Sequence, residues 1–505
     1  MTSIAFHWLI ALPLIATPFI YLTGRIGQRM KRSKTAQIVS CGSLAATWIP
    51  FLLAAKDFAS SGTPAFSIGS ISLQMDGLSL LFIGVTLALG TLVALFSESY
   101  LTNEIGQEKY FAMLVAMIGV MIGLACASDL FNLWIWFEAM AVTSYLLVAF
   151  YRDQAPSLEA GVKYLVQSAA GSTLVLIGIS LVFSQCGDLS LASIRQNATP
   201  SPVLLAAGGL FIIGFGVKSA LVPLHTWLPD AHSQAPSGIS AMLSGVVIEA
   251  GLIALLRCLS ALSDISLSWG VIFMGFGCLN MLAGNLLALG QRQVKRMFAY
   301  SSIAHVGYML VGLGISYYTN NPDGAQGSFF HLINHGIMKG LAFLAAGSLL
   351  YALRILLDRH EPLCIEDLAG AARLYPIPAL ALSIAALSLG GLPPLAGFTS
   401  KWQIFAAGFE TQDTAIILLI VFAALNSVLS LAYYAPLVNV LYRNKPSTVV
   451  LNGGRIPWSM KLPLIVLTLL VFLFGVWPTL VDGLTNPAGQ ALIRGVLNVT
   501  SAGLP

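Results

Sequence analysis

Residues 214–238 read GFGVKSALVPLHTWLPDAHSQAPSG. Lys218 sits in an apolar helical run, Pro223 removes a backbone donor five residues later, and Pro229 ends the run. A lysine at the centre of a bilayer span costs roughly 2.5 to 3.5 kcal/mol. That cost persists only where the charge faces a protein interior or a wet path. Residues 388–408, SLGGLPPLAGFTSKWQIFAAG, combine a break and a lysine again: Gly390, Gly391, Pro393 and Pro394 open the helix, and Lys401 follows. Interrupted helices in corresponding places of two halves point to the ion site of a repeat-built transporter. Lys163 and Lys339 also lie in apolar runs. The chain therefore reads as a device that moves cations through a membrane.

The composition sets the class. Hydrophobic residues make up 57% and charged residues 9%, with a mean hydropathy of +0.83, far from a soluble domain's share of about 25% charge. A net charge of +4, with no basic tract, argues against a nucleic-acid partner. The six cysteines show no C-x-x-C spacing and read as small apolar residues, and no Gly-rich phosphate loop occurs. No cofactor or metal of the chain's own is expected. Residues 4–23 are apolar, but the basic cluster Arg25, Arg29, Lys31, Arg32, Lys34 follows them, the reverse of a secretory signal. They read as a retained first helix.

Apolar runs predict an all-α integral membrane protein of about fourteen transmembrane helices. The segment 62–75 alternates in polarity and predicts a short extracytoplasmic hairpin. On this count seventeen of the 25 Lys and Arg fall in the odd-numbered loops, four on the other side and four inside helices. The positive-inside rule then puts both termini outside the cytoplasm. The two breaks fall in helices 7 and 12, an odd separation, which predicts two inverted five-helix repeats, helices 4–8 and 9–13. The boundaries expected are 1–109 for the first three helices and hairpin, 110–258 and 259–441 for the repeats, and 442–505 for helix 14 and the tail.

The candidate ion carriers follow from charge in apolar surroundings. Glu138, central in LFNLWIWFEAMAVTSYLL, is expected to pair with Lys218; moving a carboxylate away from a buried lysine releases a proton. His331, His335 and Lys339 recur every fourth residue, on one helical stripe about 6 Å apart, the spacing of a water-linked proton wire. His305 is expected in a polar cluster with Tyr300, Ser301 and Ser302. Glu249 is central and acidic, fit to pair with a lysine or relay protons. Lys401 mirrors Lys218 as the last proton-holding site before the outside. Lys163, four after Glu159, fits a local ion pair as well as an ion path. His225 and His232 are placed at the cytoplasmic end of helix 7, near proton uptake; His7 and His360 are assigned to surfaces.

The runs KSALVPLHTWLPDAHSQAPS, KRMFAYSSIAHVGYM, NHGIMKGLAFLAAG and GGLPPLAGFTSKW resemble the proton-conducting, antiporter-like membrane subunits. These are the complex I L, M and N subunits, the membrane subunits of energy-converting hydrogenases, and the Mrp sodium/proton antiporter A and D subunits. The resemblance spans residues 76–410. It implies fourteen helices, two inverted repeats and a hydrated mid-membrane axis. It also implies that Glu138 is the fifth-helix glutamate, Lys218 the seventh-helix lysine and His305 part of the tenth-helix serine–histidine stretch. His335 and Lys339 fit the eleventh-helix pattern, and Lys401 the twelfth-helix lysine. Two departures stand out: many members carry lysine at the position of Glu249, and Lys401 is similar to the N and Mrp D subunits, where the M subunit carries an acid.

The expected function is a non-redox, proton-translocating subunit of a complex I-like NADH/quinone oxidoreductase or hydrogenase assembly, with other membrane subunits as partners. A D-type Mrp subunit that exchanges protons for sodium is the alternative. A small-solute carrier and a non-conducting scaffold are further readings of other classes.

Overall fold

The computed structural model describes residues 4–30, 34–68, 71–102, 104–262, 268–357 and 361–494. His360 lies outside the described residues. The chain opens with α1 (Ile4–Arg29) and α2 (Thr35–Ser61), then a two-stranded antiparallel hairpin of β1 (Ala65–Ile68) and β2 (Ile71–Gln74) in register Ala65 to Gln74. Next come α3 (Gly77–Tyr100), α4 (Gln107–Cys126), α5 (Leu130–Val148), α6 (Ala155–Cys186), the short α7 (Leu191–Asn197) and α8 (Pro202–Lys218). After the first break lie α9 (Trp227–Gln234) and α10 (Ser237–Met242). A π-turn, Leu243–Val247, joins α10 to α11 (Ile248–Ala261). The second half holds α12 (Ser268–Leu289), α13 (Val294–Thr319), α14 (Asp323–Leu353), α15 (Ala371–Leu374), α16 (Pro376–Gly390) and α17 (Ala396–Glu410). It closes with α18 (Thr414–Leu441), α19 (Thr448–Leu451), α20 (Trp458–Val476) and α21 (Asp482–Arg494).

Among the described residues, twelve helices are long and apolar enough to cross a bilayer, and Pro202–Lys218 and Pro376–Gly390 are shorter apolar helices. This is a multi-pass, all-α membrane protein. The two segments that fall short are those the sequence marks as interrupted. Helix starts follow local chemistry. Asp76 caps α3 in a reciprocal pair with Ser79, and Asp129 and Asp413 cap α5 and α18.

Without water, helices in a bilayer associate through close backbone approach at small residues. Gly171 of α6 and Gly214 of α8 face each other, so that a Cβ on Gly214 would lie 2.6 Å from the Gly171 carbonyl oxygen. Gly277 of α12 and Gly307 of α13 repeat that contact. The segment from α10 to α11 is wholly buried, and α13 and α14 nearly so, whereas α1, α2, α18 and α20 turn apolar faces outward. The buried charged side chains Glu249, Arg257, Lys295 and Lys339 lie on α11, α13 and α14.

One buried pair involves Arg257, which the helix count above places at a helix end, among the four Lys and Arg on the less basic side. Arg257, on α11, bonds Asp76 Oδ1 at 3.0 Å and Oδ2 at 3.2 Å, and also the Ala125 carbonyl at 2.5 Å. Both side chains are about nine-tenths buried or more. Burial alone raises the Asp76 carboxyl pKa. The Arg257 charge and the bonds from Arg257 and Ser79 outweigh it and hold the group below its ordinary 3.8. The pair ties the start of α3 to α11 and the end of α4.

Candidate ion-translocation site

The two breaks carry the site. At the first, α8 ends at Lys218, Ala220 adopts a left-handed φ of 54°, and the Val222–Pro223 peptide is cis. Backbone groups freed by the interruption are met by side chains. Asn280 accepts from Val222 N at 2.8 Å and donates to the Ala220 carbonyl at 3.1 Å, and Trp227 Nε1 donates to the Val217 carbonyl at 2.7 Å. Lys218 is buried, with Nζ 4.5 Å from the centre of the Tyr164 ring, which stacks on Trp227. The expected Glu138–Lys218 ion pair is not formed. Glu138 lies on a half-exposed face of α5, and neither its buried Oε1 nor Lys218 Nζ has a protein hydrogen-bond partner.

At the second break, Gly391 takes φ +84°, Pro393–Pro394 is cis, and no Cβ fits at Gly397 against the Ser388 carbonyl. Lys401 reaches back from α17 to the end of α16, donating to the Leu389 carbonyl at 2.8 Å and Ser427 Oγ at 2.9 Å, above the Tyr308 ring. The freed carbonyl thus holds the Lys401 amino group. Lys218 precedes its break in the chain and Lys401 follows its own.

Between the breaks, α14 supplies three groups. The His331 and His335 rings are 6.4 Å apart, close to the helical expectation. Yet the three do not bond along the stripe; each reaches across to other helices. His331 bonds His305 on α13 at 2.9 Å and Ser400 on α17 at 2.9 Å. His335 Nδ1 bonds Glu249 Oε1 on α11 at 2.7 Å, both side chains fully buried. Lys339 donates to the Phe298 carbonyl at 2.8 Å and Ser301 Oγ at 2.5 Å on α13. Glu249 therefore pairs with a histidine, not a lysine, two residues beyond the π-turn that joins α10 to α11. His305 has His331 as its partner, while Ser302 bonds Ser244, Ser301 serves Lys339 and Tyr300 is half-buried elsewhere.

Two sequence candidates leave the axis, and one residue assigned to a surface is packed instead. Lys163 is half-exposed in a surface network with Glu159 at 2.7 Å and Asp230 at 3.0 Å, and Asp230 also binds Arg296. Its local ion pair is what the structure contains. His225 is half-buried in the first break, with Nδ1 lacking a protein partner. His7 is packed against Phe66 of the hairpin, not free on a surface.

Two residues belong deeper than sequence reasoning put them. His232 is fully buried, stacked on Phe343 at 4.8 Å, with both ring nitrogens lacking a protein partner. Lys295, counted with loop charges, is buried in the first turn of α13 and donates to the Ala235 carbonyl at 2.5 Å. It borders a cavity of about 50 Å³ lined also by Tyr100, Tyr151, Gln154 and Glu361. A helix-initial lysine carries no sequence mark of burial, since snorkelling is its commoner fate. Among the described residues no group of three or more His, Cys, Asp or Glu is placed to hold a metal ion.

A family model described as NADH:quinone oxidoreductase/Mrp antiporter, TM matches residues 127–430, and one described as complex I chain 5 N-terminus matches residues 65–111. The chain is similar to F(420)H(2) dehydrogenase subunit N of Methanosarcina mazei, at 32% identity over 95% of this chain and 98% of that one. It is 34% identical to NADH-quinone oxidoreductase subunit N 1 of Sorangium cellulosum over 81% of each chain. Its fold matches a chain of an archaeal respiratory membrane complex, the membrane-bound sulfane sulfur reductase, with a TM-score of 0.85 and 29% identity over 97% of both chains. The interrupted helices with their buried lysines, together with these matches along most of the sequence, place the chain in the NADH:quinone oxidoreductase/Mrp antiporter membrane-subunit family.

Proposed function

We propose that the chain translocates protons as a membrane subunit of a redox-driven complex, assembled with other membrane subunits. One observation carries the reading: Lys218, Glu249–His335, His305–His331, Lys339 and Lys401 are all buried, on helices that converge between the two breaks. Buried ionisable groups in a membrane are expensive and are retained for ion paths. Imidazole, carboxyl and amine side chains each take up and release protons, and here they bond across α11, α13, α14 and α17.

In this reading protons arrive from the cytoplasm near Lys218, with Lys295 and His232 beside a second approach. They cross by Glu249, His335 and Lys339, and leave outward past Lys401. Glu138, on the half-exposed face of α5, acts on Lys218 by approaching it, and its separation from Lys218 here is the released arrangement. The excess of Lys and Arg in the odd-numbered loops supports both termini lying outside the cytoplasm. The redox-driven version is favoured because the named relatives are subunits of an F(420)H(2) dehydrogenase and of an NADH-quinone oxidoreductase. The sodium/proton-exchanging version rests on the Mrp half of the family description.

The test is proton transport by the whole complex in liposomes, with Lys218→Ala and Glu138→Ala. Transport is lost in both while the complex still assembles. Normal transport in both variants refutes the mechanism, and dependence of transport on sodium assigns the exchanging version.

A further inference from the structure

Helix α18 has two unlike sides. Leu418, Leu425 and Val428 are more than three-fifths exposed and form a lipid-facing row. The opposite side carries Asn426, Ser427, Ser430, Tyr433 and Tyr434, of which four are buried and Ser427 is half-buried. The spacings of three and four residues from Ser427 to Ser430 to Tyr434 put these hydroxyls on one face.

This stripe meets both outer lysines. Lys339 donates to Ser301 Oγ at 2.5 Å, and Ser301 Oγ bonds the Tyr434 hydroxyl. Lys401 donates to Ser427 Oγ at 2.9 Å. Ser430 stands between, its hydroxyl on the Ser427 carbonyl at 2.6 Å. The Tyr433 ring lies 4.4 Å from that of Tyr434, and its hydroxyl donates to Asn285 Oδ1 at 2.9 Å. Ser427 and Tyr434 are seven residues apart, about 10.5 Å of helical rise. The mechanism above leaves the step from Lys339 to Lys401 without a carrier, and none of these hydroxyls has been given a role.

We propose that α18 is a hydroxyl ladder that hands the proton from Lys339 to Lys401 through Ser301, Tyr434, Ser430 and Ser427. This rests on the proton-translocation reading. The Lys339 ammonium gives a proton to Ser301 Oγ as the hydrogen already on Ser301 passes to Tyr434. Ser430 turns off the Ser427 carbonyl and, with water between the rungs, carries the shift to Ser427, whose hydroxyl turns off the Gly390 carbonyl, which it meets at 3.2 Å, towards Lys401. The Lys401 amine takes the proton at the far end. Each hydroxyl finishes neutral, no bond between heavy atoms changes, and one positive charge has moved from one lysine to the other. A phenol and a serine suit this work because each donates one hydrogen and accepts at the same oxygen.

The experiment compares Tyr434→Phe, Ser427→Ala, their double variant, Ser427→Thr and Lys401→Ala in the intact complex in liposomes. Proton flux, its slowing in deuterated water and assembly are measured. Tyr434→Phe and Ser427→Ala are expected to slow flux about tenfold or more, with a larger solvent isotope effect and normal assembly. Ser427→Thr, which keeps the hydroxyl, is expected near the wild-type rate. Full flux in the double variant, in complexes where Lys401→Ala abolishes transport, overturns the ladder and leaves the wider reading standing. Equal slowing by Ser427→Thr and Ser427→Ala also overturns it, since the hydroxyl is then not the operative group. Normal transport by Lys401→Ala refutes the wider reading, and the ladder with it.

Discussion

Replacing Glu249 by Gln isolates the charge-carrying part of the axis. Glu249 Oε1 lies 2.7 Å from His335 Nδ1, and both side chains are fully enclosed. Gln has the same shape, and its carbonyl oxygen can accept from His335 Nδ1 at the same position. The variant keeps a neutral hydrogen bond in place of one that can be charged, a difference of about 1 kcal/mol, so the complex should assemble normally. What Gln cannot do is hold and release a proton. If the proton crosses this bond, transport falls by roughly 10²-fold or more, the contribution of a positioned proton-transfer group. Glu249→Leu leaves the buried His335 nitrogen unpaired at a cost of about 1–3 kcal/mol, and adds an assembly defect to the loss of transport. Glu249→Lys restores a titratable group, like that implied for many relatives, and should recover part of the flux that Gln loses. The assay is substrate-driven quenching of a pH-sensitive dye in liposomes holding the intact complex, with native electrophoresis for assembly. Wild-type flux in Glu249→Gln refutes the placement of this pair on the path.

Other outcomes follow from the same geometry. Asp76→Asn leaves Arg257 buried without its counter-charge and should destabilise the fold by about 3–5 kcal/mol, read from thermal unfolding in detergent. Because the folded Asp76 pKa is depressed, its contribution is complete above the unfolded value and fades as pH falls through the lower folded value; a wild-type midpoint that stays level relative to Asp76→Asn on acidification below the ordinary 3.8 contradicts this. Lys163→Ala removes half-exposed, solvent-screened ion pairs and leaves assembly and transport unchanged; a transport-dead variant returns Lys163 to the path. His232→Leu, in a stacked site with no protein hydrogen bond to lose, preserves assembly but slows flux, and unchanged flux removes His232 from the uptake route.

The class, the helices, the two interruptions and the family were all legible along the chain. Hydropathy, proline and glycine act through the backbone of the residues that carry them, so their effect is local. Lys218, Glu249, Lys339 and Lys401 were legible as buried charges for a related reason: an ionisable group inside an apolar run is costly wherever the helix is packed. Pairing was not legible. Helical spacing put His331, His335 and Lys339 on one stripe, yet which helix faced each group depended on α11, α13 and α17 as placed by tertiary packing. So Glu249 found His335 and not a lysine, and Lys401 found a carbonyl released by the break and a serine on α18. The same limit hid Arg257, Lys295 and His232. By itself the sequence determined that this protein crosses a membrane and holds protonatable groups inside it. Only the tertiary structure decided which groups touch, because a hydrogen bond needs atoms within about 3 Å, and residues far apart in the chain come that close only through the packing of the helices.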